Sequence, residues 1–428
     1  MGMEKLRGNL LFGQSGGPTS VINASAAGVF LEALAHPDLI PRVYGMGHGI
    51  AGLLQGEIYD ITQEDPEELE HLKSMPSSAL GSCRYKLANW LEDDRDYQKI
   101  LELLRRLDIR YFFYNGGNDS MDTCQKISAF LQKNDYPCRV VGIPKTIDND
   151  LFGTDHCPGY ASAARYVATT FMEVTQDARV YDTGMICVVE VMGRHAGWLV
   201  AASALATAKG SGPDLIYVPE RPFDLARFKE DVRAVYERSG KVMIAVSEGV
   251  KTQDGKYIPE LVSEVSQDAF GHKQLGGSAQ VLANYLKREM GCKVRGIELS
   301  LMQRAASHLA SAVDVEEAAG AGAFGVQQAI QGHTDFMVTL ERISSRPYTA
   351  NYGRLPLIQV ANAERLLPND WVNEAGNFVT EAFLDYAFPL IGRAHEIELE
   401  DGLPVYAKLK KILVKPSSDE GHDASDQN

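Results

Sequence analysis

Short apolar runs rich in β-branched residues alternate along this chain with longer stretches of helical periodicity, and that alternation restricts the fold most. The runs are Asn9–Phe12, Tyr111–Tyr114, Arg139–Ile143, Met185–Val191, Leu215–Val218, Val242–Val246 and Phe336–Leu340. Helical patterns cover Val21–Ala35, Met121–Lys133, Tyr160–Gln176, His195–Lys209, Leu225–Ser239 and Ser278–Met290. A strand, a helix and another strand in succession spell a mostly parallel α/β sheet, because parallel neighbours need a crossover between them. The unbroken apolar character of VVGI, CVVEV and VMIAV predicts strands covered on both faces. At 428 residues the chain is too long for one ordinary domain. Two lobes dividing near Pro158, with a cleft between them, are expected.

Ligands of open parallel sheets bind beyond the carboxyl ends of the strands. Those ends carry unusual residues here: GQSGGPTS, NGGNDS, PKTIDND, MGRHAG and SEG. In GQSGGPTS, Gly13 to Ser20, paired glycines let backbone N–H groups approach an anion at the start of a helix. The same letters also make a plain tight turn. NGGNDS, Asn115 to Ser120, repeats the arrangement; Asp119 and Ser120 either cap the next helix or face a phosphate and its metal. In PKTIDND, Pro144 to Asp150, two carboxylates two residues apart stand beside Lys145 and Thr146 at the end of an apolar strand. That is either an exposed Asx-turn or a base paired with a metal-holding acid. Arg194 in MGRHAG suits bidentate recognition of phosphate. His195 beside it is a general base or a structural histidine. Glu248 in SEG, Arg84 in SALGSCRYK, and Arg295 and Arg304 in VRGIELSLMQR add one acid and three guanidiniums.

Charge sharpens this pattern. The net charge is −15, which argues against a bulk attraction for nucleic acid or an anionic membrane. Phosphate binding must therefore come from a local cluster of cations. The six cysteines are scattered with no CxxC pair, which predicts reduced thiols in a cytoplasmic protein. The longest apolar stretch, Ala196–Ala208, is too short to cross a bilayer. Neither a secretory leader nor a myristoylation signal is read at the N-terminus. The polar SSDEGHDASDQN, ending at Asn428, is expected to be a disordered acidic tail over 417–428.

Taken together and in order, GQSGGPTSVIN, GGNDS, PKTIDND, VVEVMGRHAGW, SEG and MQR resemble the phosphofructokinase family from about Leu10 to Leu340. The resemblance implies two Rossmann-like lobes. Residues 1–157 with about 303–345 would form the donor lobe, and 158–302 with about 346–416 the sugar-phosphate lobe. It implies Asp148 as the base acting on the C1 hydroxyl of fructose 6-phosphate, with Thr146 and Ile147 beside it. Gly17, Arg84 and Lys145 would meet the donor. Met192, Gly193, Arg194, Glu248 and Arg304 would hold the sugar phosphate, joined by Arg295 from a neighbouring subunit of a homodimer or homotetramer. Asn118 and Asp150 would share the environment of Mg²⁺.

The donor is read from two positions. ATP-using members resemble GGDGS and PGTIDND, with glycines where this chain has Asp119 and Lys145. A carboxylate at the first position repels the α-phosphate of ATP, and an ammonium at the second stabilises charge developing in transfer. Pyrophosphate is the expected donor. Two departures stand out: the family's acid is Asn118 here, and Met185 replaces an arginine of many ATP-dependent members, with Arg179 a possible substitute nearby.

Overall fold

The computed structural model describes residues 6–180, 182–261, 277–361 and 363–414. The expected acidic tail lies outside the described residues. Strands β1 (Asn9–Gln14), β2 (Val43–Met46), β3 (Ile58–Asp60), β4 (Ile109–Gly116), β5 (Arg139–Pro144), β6 (Met185–Val191), β7 (Leu215–Tyr217), β8 (Lys241–Ser247), β9 (Lys293–Glu298), β10 (Phe336–Ser345) and β11 (Tyr348–Pro356) form two sheets. The larger runs β11-β10-β5-β4-β1-β2-β3 and the smaller β7-β8-β6-β9. Every pairing in the smaller sheet is parallel. In the larger, only the edge strands β3 and β11 pair antiparallel.

Strand register explains why the polar exits converge. Gln14 lies opposite Asn115, and Gly116 opposite Pro144, so the loops after β1, β4 and β5 leave the larger sheet side by side. In the smaller sheet Val191 lies opposite Ser247, which sets MGR beside SEG. Apolar strands alternate their side chains between helix-covered faces, and each sheet buries an extensive core on both sides. The α/β class and the paired parallel sheets are those of the expected architecture.

Three boundaries differ from the sequence reading. The helix expected over His195–Lys209 is two single turns, Trp198–Ala201 and Ala204–Thr207. Ser203 Oγ donates to the Val200 carbonyl at 2.6 Å, diverting an acceptor that a continuous helix would use. The helix after β4 begins at Asn118 rather than Met121, and Gly117 caps it with no side-chain bond. Asp119 therefore lies in its first turn instead of capping it. The described residues of the segment expected in the second lobe, 346–361 and 363–414, are divided between the two sheets. Strand β11 pairs with β10 in the larger sheet, the helix Glu381–Ile391 packs into the core of the smaller, and Ile412 and Val414 bond back to Asp60 and Ile58. Among the described residues no helix is long and apolar enough to cross a membrane.

Candidate active site

Between the lobes lies a cleft of about 700 Å³, and both sets of strand exits reach it. From the larger sheet come Gly17, Asn118, Asp119, Lys145, Thr146, Ile147, Asp148 and Asp150. Met192, Arg194 and Glu248 reach it from the smaller sheet; Arg84 and Arg304 arrive from loops and a short helix. Gly193 stands just behind, donating its N–H to Glu248 Oε1 at 3.3 Å. All the proposed site residues but one thus gather in or against a single cavity. The exception is Arg295, exposed on the edge strand β9 opposite Cys187 and outside the cleft of its own chain. Met185 is buried in β6, and Arg179 donates to the Gly210 carbonyl away from the cleft.

In the cleft wall Lys145 is 3 % exposed, and its Nζ donates to the Gly17 carbonyl at 2.6 Å. Burial and the Arg304 guanidinium pull its ammonium down to about 8, against the attraction of Asp148. A Cβ on Gly17 would stand 2.9 Å from Arg304 Nη1, so a larger residue there would push this guanidinium aside. The positive end of the helix Asn118–Lys133 faces the same space, with Gly117 to Ser120 on the wall. Cations and a helix terminus in one concavity make a site for a polyanion.

The segment between Lys145 and Asp150 is held rigidly. Asp148 N–H donates to Thr146 Oγ1 at 3.1 Å. Asn149 takes a left-handed φ of 56°, which asparagine tolerates, and is fully buried. It points away from the cleft, so Asp148 and Asp150 on either side both reach the cavity wall. Burial raises the Asp148 carboxyl, although Arg194, His195, Lys145 and Arg304 oppose the shift. Burial, reinforced by the charges of Asp148 and Glu364, pushes Asp150 up to about 7. Glu248 is likewise raised to about 7, by burial and then by Asp148. Three carboxyls with weakened acidity crowd one cleft, which marks a place prepared for cations and proton transfer.

Asn118 Nδ2 donates to Asp150 Oδ2 at 3.3 Å, while its Oδ1 is buried without a partner. An orphaned amide oxygen beside a carboxylate is a fitting hard-oxygen corner for Mg²⁺. Among the described residues no three His, Cys, Asp or Glu side chains form a ready-made cage, so substrate oxygens would have to complete the shell. Arg194 Nε is also buried and unpartnered. Glu364 and Leu301 line the cleft unforeseen. Glu364 bonds His195 Nδ1 at 2.8 Å and follows no strand, so no Gly-rich exit advertised it.

Comparison with known proteins bears on this geometry. A pyrophosphate–fructose 6-phosphate 1-phosphotransferase of Halomonas elongata is 42% identical over 410 residues, covering 95% of this chain and 97% of that protein. A sulfofructose kinase of Alkalicoccus urumqiensis is 32% identical over 364 residues, covering 85% and 91%. The crystal structure of a pyrophosphate-dependent phosphofructokinase from Nitrosospira multiformis superposes with a TM-score of 0.88 at 39% identity, covering 96% and 99%. The phosphofructokinase family model matches residues 9–297, from the first residue of β1 into β9, and with that extent the chain belongs to the phosphofructokinase family.

Proposed function

We propose that this chain moves a phosphoryl group from pyrophosphate to the C1 hydroxyl of fructose 6-phosphate, giving fructose 1,6-bisphosphate and phosphate. The reaction is reversible and belongs to glycolysis and gluconeogenesis. The observation that carries the donor assignment is Lys145, buried and bonded to Gly17, with Asp119 lining the same cleft. Relatives named for pyrophosphate across nearly the whole chain support it.

In this reading the sugar's C1 oxygen attacks the near phosphorus, the bridging P–O bond breaks, and phosphate leaves. Asp148 takes the hydroxyl proton; a carboxyl raised by burial is a better base than an ordinary one. Thr146 and Ile147 frame the transferring group. Lys145, Arg84 and the Gly17 backbone hold the donor, and Lys145 neutralises charge as it shifts to the leaving phosphate. Met192, Gly193, Arg194, Glu248 and Arg304 hold the sugar phosphate. Asn118 and Asp150 would hold Mg²⁺, whose chemistry there is to screen the phosphate oxygens. Catalysis is mostly positioning.

Arg295, exposed on an edge strand, reaches a neighbour's sugar phosphate in a homodimer or homotetramer. Six free cysteines accord with a cytoplasmic setting. A coupled assay tests the reading: pyrophosphate and ATP, each against fructose 6-phosphate and sedoheptulose 7-phosphate. Turnover with pyrophosphate and fructose 6-phosphate supports it; preference for ATP overturns the donor, and preference for sedoheptulose 7-phosphate overturns the acceptor.

A further inference from the structure

Behind the two cleft carboxyls, the catalytic segment is tied to a helix distant in the chain. Asn149 Nδ2 donates to Tyr386 Oη at 2.8 Å, and Tyr386 Oη donates to the Asp155 carbonyl at 2.9 Å. Asn149 Oδ1 accepts from the Cys157 N–H at 2.9 Å, so both ends of its amide are engaged. The hydroxyl thus bridges two points of the loop that bears Asp148 and Asp150. Tyr386 sits on the helix Glu381–Ile391, outside residues 9–297 that the family model covers.

The same ring meets the sugar side of the site. Its centroid is 5.2 Å from that of Trp198, which follows MGRHAG directly. Arg365 stacks over Trp198 at 4.2 Å, donates to the Asp155 carbonyl at 2.5 Å, and bonds the Asp150 carbonyl through its own N–H at 2.8 Å. Rings and guanidinium therefore fill the space between the segment with the acids and the segment with Arg194.

We propose that Tyr386 is a positioning residue that acts through Asn149 to hold Asp148 and Asp150 at their places in the cleft. The physical basis is the left-handed backbone at Asn149. With Asp148 and Asp150 as its immediate neighbours, rotation at this residue swings one carboxyl relative to the other. The Tyr386 hydroxyl is the side-chain partner that pins the amide nitrogen. Loss of that pin would displace the acids without removing any group that contacts substrate, and misplacement of about 1 Å costs about a hundredfold in rate.

This inference rests on the phosphotransferase reading above, and its test separates the two. Steady-state rates with pyrophosphate and fructose 6-phosphate are measured for the wild type, Tyr386→Phe, Asn149→Gly and the double variant. Glycine keeps the left-handed backbone at residue 149 while removing the amide. An inactive wild type would defeat the functional reading alone. With an active wild type, Tyr386→Phe is expected to lower kcat by about tenfold to a hundredfold, with KM for both substrates within about threefold. The double variant should lose less than the product of the two single losses, because the Asn149–Tyr386 bond is common to both, while Tyr386→Phe also removes the Asp155 bond and Asn149→Gly the Cys157 bond. Unchanged kcat in folded Tyr386→Phe, a loss confined to KM, or losses that multiply in the double variant would each overturn the proposal. If Tyr386→Phe does not fold, the kcat and KM of Asn149→Gly decide by the same split.

Discussion

Lys145 Nζ reaches the Gly17 carbonyl at 2.6 Å, joining the loop after β5 to the loop after β1 across the intervening strand β4. The bond fixes an ammonium in the cleft wall, where burial already weakens its hold on a proton, and the proposed function sets it against the donor. Replacing Lys145 by Gly removes both the charge and the tie. Turnover with pyrophosphate should drop sharply, by about 10²-fold, as for loss of one charge-stabilising donor. Steady-state kcat measured with saturating pyrophosphate checks this.

Asp119 is exposed in the first turn of the helix Asn118–Lys133 and is one of the residues lining the cleft. Asp119→Gly should admit ATP, because a carboxylate that repels the α-phosphate is gone. Removing such a contact at a solvated wall is worth about 1–4 kcal/mol. That corresponds to roughly one to three powers of ten in relative use of ATP. The ratio of kcat/KM for the two donors is the measurement, and an unchanged ratio would sink the gatekeeper role. The effect should not simply add to that of Lys145→Gly, since both residues face the same phosphates.

Asp148→Asn keeps the size of the side chain but cannot accept the hydroxyl proton. Turnover should fall by about 10²–10⁴-fold with a modest change in KM. Circular dichroism confirms folding; near-normal turnover in a folded variant would remove Asp148 from the role of base.

Arg295 lies on an exposed edge strand, clear of its own cleft. Mixed assemblies of inactive Arg295→Ala and Asp148→Asn chains should regain activity, because some shared sites combine an intact Arg295 with an intact Asp148. Native mass spectrometry shows whether hybrids form. Hybrids without recovered activity would mean that each site is built from one chain.

His156 is fully buried between Asp155 and Glu317, at 2.8 and 2.6 Å. Burial opposes its protonation, but hydrogen bonds and charge from the two carboxylates outweigh burial and raise the imidazole to about 9. A raised folded value stabilises the fold fully below the unfolded value, near 6.5, and this contribution is lost as pH climbs through about 9. The linkage is worth on the order of 3 kcal/mol. The gap in Tm between wild type and His156→Gln should therefore be widest near pH 6 and narrow above pH 9. A gap independent of pH between those limits would contradict the buried ion pair.

Seven strands, the parallel class and nearly every cleft residue were legible in the sequence, because each is written locally. A β-branched apolar run sets a strand, and the polar letters that follow it must sit at the strand's end. Thus PKTIDND and MGRHAGW announced the cleft before any contact was known. Strand register could not be read this way, yet it alone brings Gln14 to Asn115 and Gly116 to Pro144. The helix Ala312–Ile330 is not legible locally either, since its glycines lower helix propensity. Tertiary packing overrides that cost: a Cβ on Gly322 would lie 2.3 Å from the Ser25 carbonyl, so small residues let this helix press against Ile22–Leu34. Glu364 and Tyr386 follow no strand exit, and only the fold carries them to the segment between Lys145 and Asp150. Asn149 and Tyr386 are 237 residues apart, and a hydrogen bond over that separation leaves no periodic trace in either neighbourhood. The chemistry of the cleft was local and therefore written; the frame that aims it is long-range, and only the folded chain decides it.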